Sequence, residues 1–396
     1  MPDRTDPLAY LEEEIGALDR DGLLVRPRSL EGPTGARAVF DGREVINLAS
    51  NNYLGLANHP RLNEAAARAA TDLGAGSGAV RTIAGTMAIH VELERRFAAF
   101  KHAEAALMFP SGFAANAGTV AAVLGPEDVI VSDRLNHASI IDGARLSKAR
   151  IAVFDHADAA DADRKLAETA DARRQLLITD GVFSMDGDIA PLPDLVEVAE
   201  RHGAIMMVDD AHASGVLGAG GAGSVDHFGL HGRVDIQVGT LSKAIGVLGG
   251  FIAGRAHLVE WLRQRGRPYL FSTSAPPAVA AACMAALDVL ADEPERLARL
   301  WSNTERFKAG LTSLGFDTGS SATPITPVIT GDAVATQRFA RELFDAGVFA
   351  PAIVFPTVAR DSARIRTIVI ADHDDADLDE ALAAFGTVGA SLGLVG

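Results

Sequence analysis

A single cysteine in 396 residues, Cys283, leaves no partner for an internal disulfide and no thiol cluster for a metal. It sits in the run Ala280 to Leu287, which has the look of a packed helix and makes Cys283 a structural thiol. Positive charge is in deficit: 36 lysines and arginines against 52 acidic residues give a net charge of -16, so no broad basic surface is available to nucleic acid. A local basic pocket for a phosphorylated ligand stays open. No apolar run reaches membrane-spanning length, and the stretch from Met1 through Glu12-Glu13-Glu14 lacks the apolar core of a signal peptide, so the expected compartment is the cytoplasm. There is no internal repeat, low-complexity segment, Walker lysine motif or zincin motif. Two glycine patterns, Gly74, Gly76 and Ala79 and then Gly218, Gly220 and Gly223, have dinucleotide spacing in the wrong setting. The first follows a helical stretch rather than a strand, and the second runs into Ser224-Val225-Asp226-His227, a poor helix start.

What the chain does have is alternation. Strand-length apolar runs (Ala105 to Phe109, Val129 to Ser132, Ile151 to Phe154, Leu176 to Thr179, Ile205 to Val208, Ile236 to Gly239, Phe251 to Ala253) are separated by helical stretches such as His90 to Phe100 and Leu192 to His202. That order predicts an α/β fold on a largely parallel sheet. After Phe271-Ser272-Thr273-Ser274-Ala275-Pro276-Pro277 the composition turns to long helix. Strand-like Ile325 to Ile329, a helix at Thr336 to Ala346, strand-like Ile365 to Ile370 and a last helix from Ala376 then suggest a smaller α+β unit. The expected organisation is an arm over 1–50, a large domain over 51–277 and a small domain over 278–396.

Chemistry enters with Ile205-Met206-Met207-Val208-Asp209-Asp210-Ala211-His212, a buried strand ending in a carboxylate, followed by a lone lysine in Gly239-Thr240-Leu241-Ser242-Lys243-Ala244. A carboxylate in that position keeps a pyridine nitrogen protonated, and the lysine amine forms a Schiff base. Together they describe a pyridoxal phosphate (PLP) site. Strand alternation points Asp210 away from Asp209. Ser111-Gly112-Phe113 follows a strand and opens an apolar helix, a seat for the cofactor phosphate that Thr240 and Ser242 supplement with hydroxyls. Asp209, Asp210 and His212 are considered as metal ligands, but nothing nearby in sequence completes a shell, and no metal is expected.

From about Asn47 to the C-terminus the chain resembles the α-oxoamine synthases, PLP enzymes of fold type I (aspartate-aminotransferase-like) that join an amino acid to an acyl-CoA. The motifs come in order: Asn51 to Leu56, Gly76-Ser77-Gly78, Ser111 to Asn116, Leu135 to Ser139, Thr179 to Gly187, Asp209 to His212, Lys243, Phe271 to Ser274 and Ala363 to Arg366. The resemblance implies a seven-stranded, mostly parallel sheet with a small C-terminal domain, and a homodimer with shared sites. By the same resemblance His137 stacks on the cofactor ring and donates toward the acyl carbonyl, while Ser184 and His212 reach the ring's phenolic oxygen. Ser272 and Thr273 serve the neighbouring subunit's phosphate. Arg366, with Asn51, clamps the substrate carboxylate, although Arg364 lies on the same face. Lys243, His137 and His212 form the catalytic set. The branch it implies first is the glycine C-acetyltransferases, with glycine and acetyl-CoA giving 2-amino-3-oxobutanoate. The alternative is alanine with pimeloyl-CoA and loss of carbon dioxide, on the route to biotin, or a broad-specificity enzyme; transamination is more distant. Val247 and Leu248 are candidates for narrowing the acyl pocket, or equally core residues. Arg263, Arg265 and Arg267 form a basic cluster read first as a solvated face, with CoA phosphates or the partner subunit as alternatives and Arg267 nearest the site by position.

Overall fold

A computed structural model describes residues 6–395. Two strands near the N-terminus, β1 (Arg37–Phe40) and β2 (Arg43–Asn47), form a hairpin. Seven more follow: β3 (Ala105–Phe109), β4 (Val129–Asp133), β5 (Arg150–Phe154), β6 (Gln175–Asp180), β7 (Ile205–Asp209), β8 (Ile236–Thr240) and β9 (Gly250–Gly254). The C-terminal part adds β10 (Ile325–Gly331), β11 (Val348–Phe349), β12 (Ala352–Ile353) and β13 (Ala363–Ile368).

The seven middle strands make one sheet in the order β3-β9-β8-β7-β6-β4-β5, parallel throughout except β9, which runs against both neighbours. Its central strands are apolar on both faces because helices cover both. Ile178, Met207 and Val238 pack with Val120 and Ile140 on one side. Leu177, Met206 and Val208 pack with Leu195 and Val196 on the other. The helix Leu192–His202 shows how the sequence writes that cover. Leu192, Leu195, Val196 and Ala199 recur at helical spacing and are buried, and Gly203 ends the helix in the left-handed conformation. Each fully buried leucine or valine of this kind is worth roughly 1.5–3 kcal/mol over exposure.

Cys283 is buried in the helix Pro277–Asp292, and burial pushes its thiol up to about 12, as befits an inert packing residue. Two smaller sheets flank the large one. β10, β13 and β12 form an antiparallel sheet that carries Arg364 and Arg366, and β11 pairs with β2 of the N-terminal hairpin. This last pairing brings the loop after β2, with Asn51, beside β13. No described helix is long and apolar enough to cross a membrane.

Candidate active site

The parallel strands deliver their C-terminal residues to one edge of the sheet, the edge where α/β proteins bind ligands. Asp209 ends β7 and Asp180 ends β6, cross-strand neighbours in register. Asp209 is buried, and its carboxylate accepts from Asn116 Nδ2 at 2.6 Å and from the Ala211 amide at 2.8 Å. Asp180 accepts from the His137 amide at 2.8 Å, and its pKa is pushed well above the carboxylate range, first by burial and then by the charge of Asp209 beside it. Asp210 turns to the other face, where Lys101 Nζ donates to it at 2.7 Å with both side chains fully buried.

Lys243 Nζ makes no hydrogen bond to any described residue, although the Lys243 carbonyl accepts from the Gly246 amide at 2.9 Å. Burial lowers its ammonium to about 8, against the pull of Asp209 and Asp180. A lysine held near neutrality gives up its proton readily, the condition for a nucleophile and base. His137 caps the helix Ala138–Ser147, and its Nδ1 is hydrogen-bonded to Ser139 Oγ at 2.7 Å. The ring stays exposed to the cleft with Nε2 free, and its pKa is lowered, by desolvation first and then by Lys243, with Asp209 opposing. His212 is buried, and Tyr53 Oη lies 2.7 Å from its Nδ1. Burial, with the charges of Lys243 and Arg366, drives its pKa well down. A neutral ring that accepts from Tyr53 carries its proton on Nε2.

The helix Gly112–Val123 opens with Ser111 Oγ accepting from the Ala114 amide at 3.1 Å, and the Gly112 and Phe113 amides find no acceptor among the described residues. Thr240 Oγ1 and Ser242 Oγ stand 2.9 Å apart alongside. A Cβ on Gly112 would come within 3.2 Å of Thr240 Oγ1, and one on Gly250 within 2.4 Å of the Ser111 carbonyl, so both glycines keep this corner open to a phosphate-sized group. Ser272 and Thr273 line an apolar cavity of about 200 Å³ that adjoins the same corner through Pro110 and Gly249, and Leu248 is also in its wall. Val247 packs against the core.

Arg364 and Arg366 divide cleanly. Arg364 is bound to Asp186, with Nη1 to Oδ1 at 2.5 Å and to the Met185 carbonyl at 3.1 Å. Arg366 is buried without a carboxylate among the described residues. Its Nη2 donates to Asn51 Oδ1 at 2.9 Å, its Nη1 to the Ser184 carbonyl at 3.2 Å, and its Nε finds nothing. A buried guanidinium with a spare donor has the chemistry to receive a carboxylate. Of the basic cluster, Arg263 lies 3.5 Å from both Glu94 and Glu260, while Arg265 and Arg267 stack on Trp261 and Phe271.

Three residues of this arrangement carry no role in the sequence reading. Asn116 lies one helical turn beyond the phosphate seat, a spacing that puts its amide at the end of β7. Asp180 sits at the C-terminus of a parallel strand, the same positional signal that singled out Asp209. Tyr53 had no signal of its own, since its partner is far along the chain. A further feature braces the edge. His156 is held between Asp133 at 3.0 Å and Asp188 at 2.8 Å, and although burial disfavours its charge, the two carboxylates outweigh that and raise its pKa to about 10. An unfolded histidine titrates near about 6.5, so this contribution is complete below that pH and is lost as pH rises toward 10. The melting temperature of the wild type should therefore fall more steeply between pH 7 and 10 than that of His156→Gln; parallel curves would refute it.

A buried carboxylate facing an activated lysine, with a phosphate seat beside them on this sheet, defines a PLP enzyme, and the chain belongs to the aminotransferase class I and II family, whose sequence profile matches residues 43–385. Within that family it is an α-oxoamine synthase. It is 60% identical over 387 residues to the 8-amino-7-oxononanoate synthase of Symbiobacterium thermophilum (98% of this chain, 99% of the relative) and 54% identical over 378 residues to 8-amino-7-oxononanoate synthase 1 of Bacillus subtilis (96% of each). Among solved structures it superposes on the serine palmitoyltransferase of Sphingomonas wittichii with a TM-score of 0.93 at 31% identity (99% of this chain, 100% of that one). The 8-amino-7-oxononanoate synthase of Francisella tularensis gives 0.73 at 26% identity (87% and 97%). These relatives overturn the expectation of a glycine C-acetyltransferase. The motifs behind that expectation were read for a cofactor and an amino-acid carboxylate, and carry no information on the acyl chain.

Proposed function

We propose that the protein condenses alanine with a pimeloyl thioester, releasing the thiol and carbon dioxide and forming 8-amino-7-oxononanoate, a step of biotin synthesis. What supports the reading is identity of 54–60%, over nearly the whole of each chain, to proteins of that name. Bound PLP supplies an electron sink that makes the amino-acid Cα proton removable. The residues divide the remaining work. Asp209, oriented by Asn116, holds the pyridine nitrogen protonated, and His212 and Ser184 face the phenolic oxygen. The Gly112 and Phe113 amides, with Thr240 and Ser242, take the phosphate, and Ser272 and Thr273 serve the phosphate of a second copy in a dimer. Arg366 and Asn51 fix the alanine carboxylate so that the Cα proton points at Lys243 Nζ, which removes it. His137, through its free Nε2, steadies the thioester carbonyl oxygen as charge develops there.

Thiol release by the PLP-loaded protein across alanine, glycine and serine against pimeloyl-, acetyl- and palmitoyl-CoA tests this. Alanine with pimeloyl-CoA should dominate, with one carbon dioxide per thiol; dominance of any other pair sinks the reading. Arg366→Lys, which replaces a planar fork by a point charge, should raise KM for alanine roughly ten- to a hundredfold with a smaller change in kcat. An unchanged KM would move the carboxylate elsewhere.

A further inference from the structure

We propose that His102, Asp226 and His231 form a binding site for a divalent cation of the zinc class, separate from the PLP site. His102 follows the helix Ala88–Phe100, Asp226 belongs to the short helix Ser224–His227, and His231 lies in the loop leading to β8. The fold brings one ligand atom from each within 4.8 Å of the other two. His231 Nε2 is 3.0 Å and His102 Nε2 3.7 Å from the same oxygen, Asp226 Oδ1, and the two rings meet with centroids 4.6 Å apart. Ligands about 2.0–2.1 Å from a tetrahedral zinc ion stand roughly 3.3 Å from one another, so the observed separations bracket what an ion requires. The other oxygen, Asp226 Oδ2, accepts from the Ala219 amide, which fixes the carboxylate as a hydrogen bond outside the coordination sphere does in metal sites.

Imidazole and carboxylate donors together suit zinc, nickel or copper rather than magnesium or calcium. Side-chain exposures of 56% for His102 and 38% for His231 leave room for water at the remaining positions and allow exchange with the medium. The site has no part in the chemistry. His102 and His231 precede β3 and β8, whereas Ser111, Asp209 and Thr240 follow or end β3, β7 and β8, so a strand length of roughly 16 Å intervenes. An ion there ties the end of one helix to the loop that feeds β8, two segments remote in sequence. That remoteness is why the sequence alone, which leads to an expectation of no metal, offers no hint of it.

The test is a titration of the PLP-loaded holoenzyme with Zn²⁺ against a chromophoric chelator, alongside His102→Ala, His231→Ala and a control, His257→Ala, at an exposed histidine elsewhere. One equivalent per chain should bind the wild type and the control, and each site variant should weaken it by at least about tenfold. Zn²⁺ should raise the melting temperature of the wild type and leave that of the site variants unmoved, while all four proteins melt alike in chelator. No bound equivalent, an equivalent that survives both site substitutions, or one seen only before PLP is loaded would overturn the proposal.

Discussion

Lys243→Ala should yield a folded protein that no longer shows the visible absorbance of a lysine-linked cofactor and turns over at least about a thousandfold more slowly than the wild type. Two jobs are lost at once. The amine that captures PLP is gone, and so is the base whose proton affinity burial has lowered to about 8. The substitution also removes the one cation facing the Asp180 and Asp209 pair from this segment, so free PLP soaked into the variant should bind more weakly as well. The absorbance spectrum is the decisive reading because it does not depend on knowing the substrate. A variant that keeps it would remove Lys243 from the site whatever its turnover.

Asp209→Asn is expected to lower kcat by about a hundred- to a thousandfold, the scale seen when one preorganised electrostatic partner is removed from an active site. The asparagine is isosteric and can retain the Asn116 contact, but it has no charge with which to keep a pyridine nitrogen protonated. The neighbour makes the experiment informative. Burial and the charge of Asp209 push the pKa of Asp180 up, so removing that charge makes it easier for Asp180 to ionise one strand away. The double variant Asp180→Asn/Asp209→Asn should therefore be slower than Asp209→Asn alone. If Asp209→Asn stays within about tenfold of the wild type in kcat, Asp209 is not the partner of the ring nitrogen.

The seven strands of the large sheet were readable because burial on both faces writes each as an unbroken apolar run. The short strands were not. β11 and β12 are two residues each, too brief for any periodicity. The hairpin of β1 and β2 did leave a signal, Asp41-Gly42, both at positive φ, in a segment that reads as an arm when its partner β11 is out of view. In the site, residues whose type and place alone suggest chemistry, a lone lysine among small residues and a carboxylate at a strand end, Lys243 and Asp209, stand out in sequence. Those that act by touching a distant residue do not. Tyr53 reaches His212, Asn116 reaches Asp209, and Asp186 claims Arg364 while Arg366 has no carboxylate among the described residues; each pairing exists only once the chain is folded. The acyl preference was hidden for a different reason, since none of the legible motifs was read for the acyl chain.

Asn51 and Arg366 meet at 2.9 Å across nearly the full length of the chain, and β2 finds β11 only after some three hundred further residues have been made. On a ribosome, where N-terminal parts fold as they emerge, the strands of the seven-stranded sheet with Lys243 and Asp209 are all made well before Arg366 can reach Asn51. On the roles proposed above, a nascent chain would be able to take up its cofactor while still unable to hold an amino acid, and Lys243 would be capped before the first substrate has anywhere to sit.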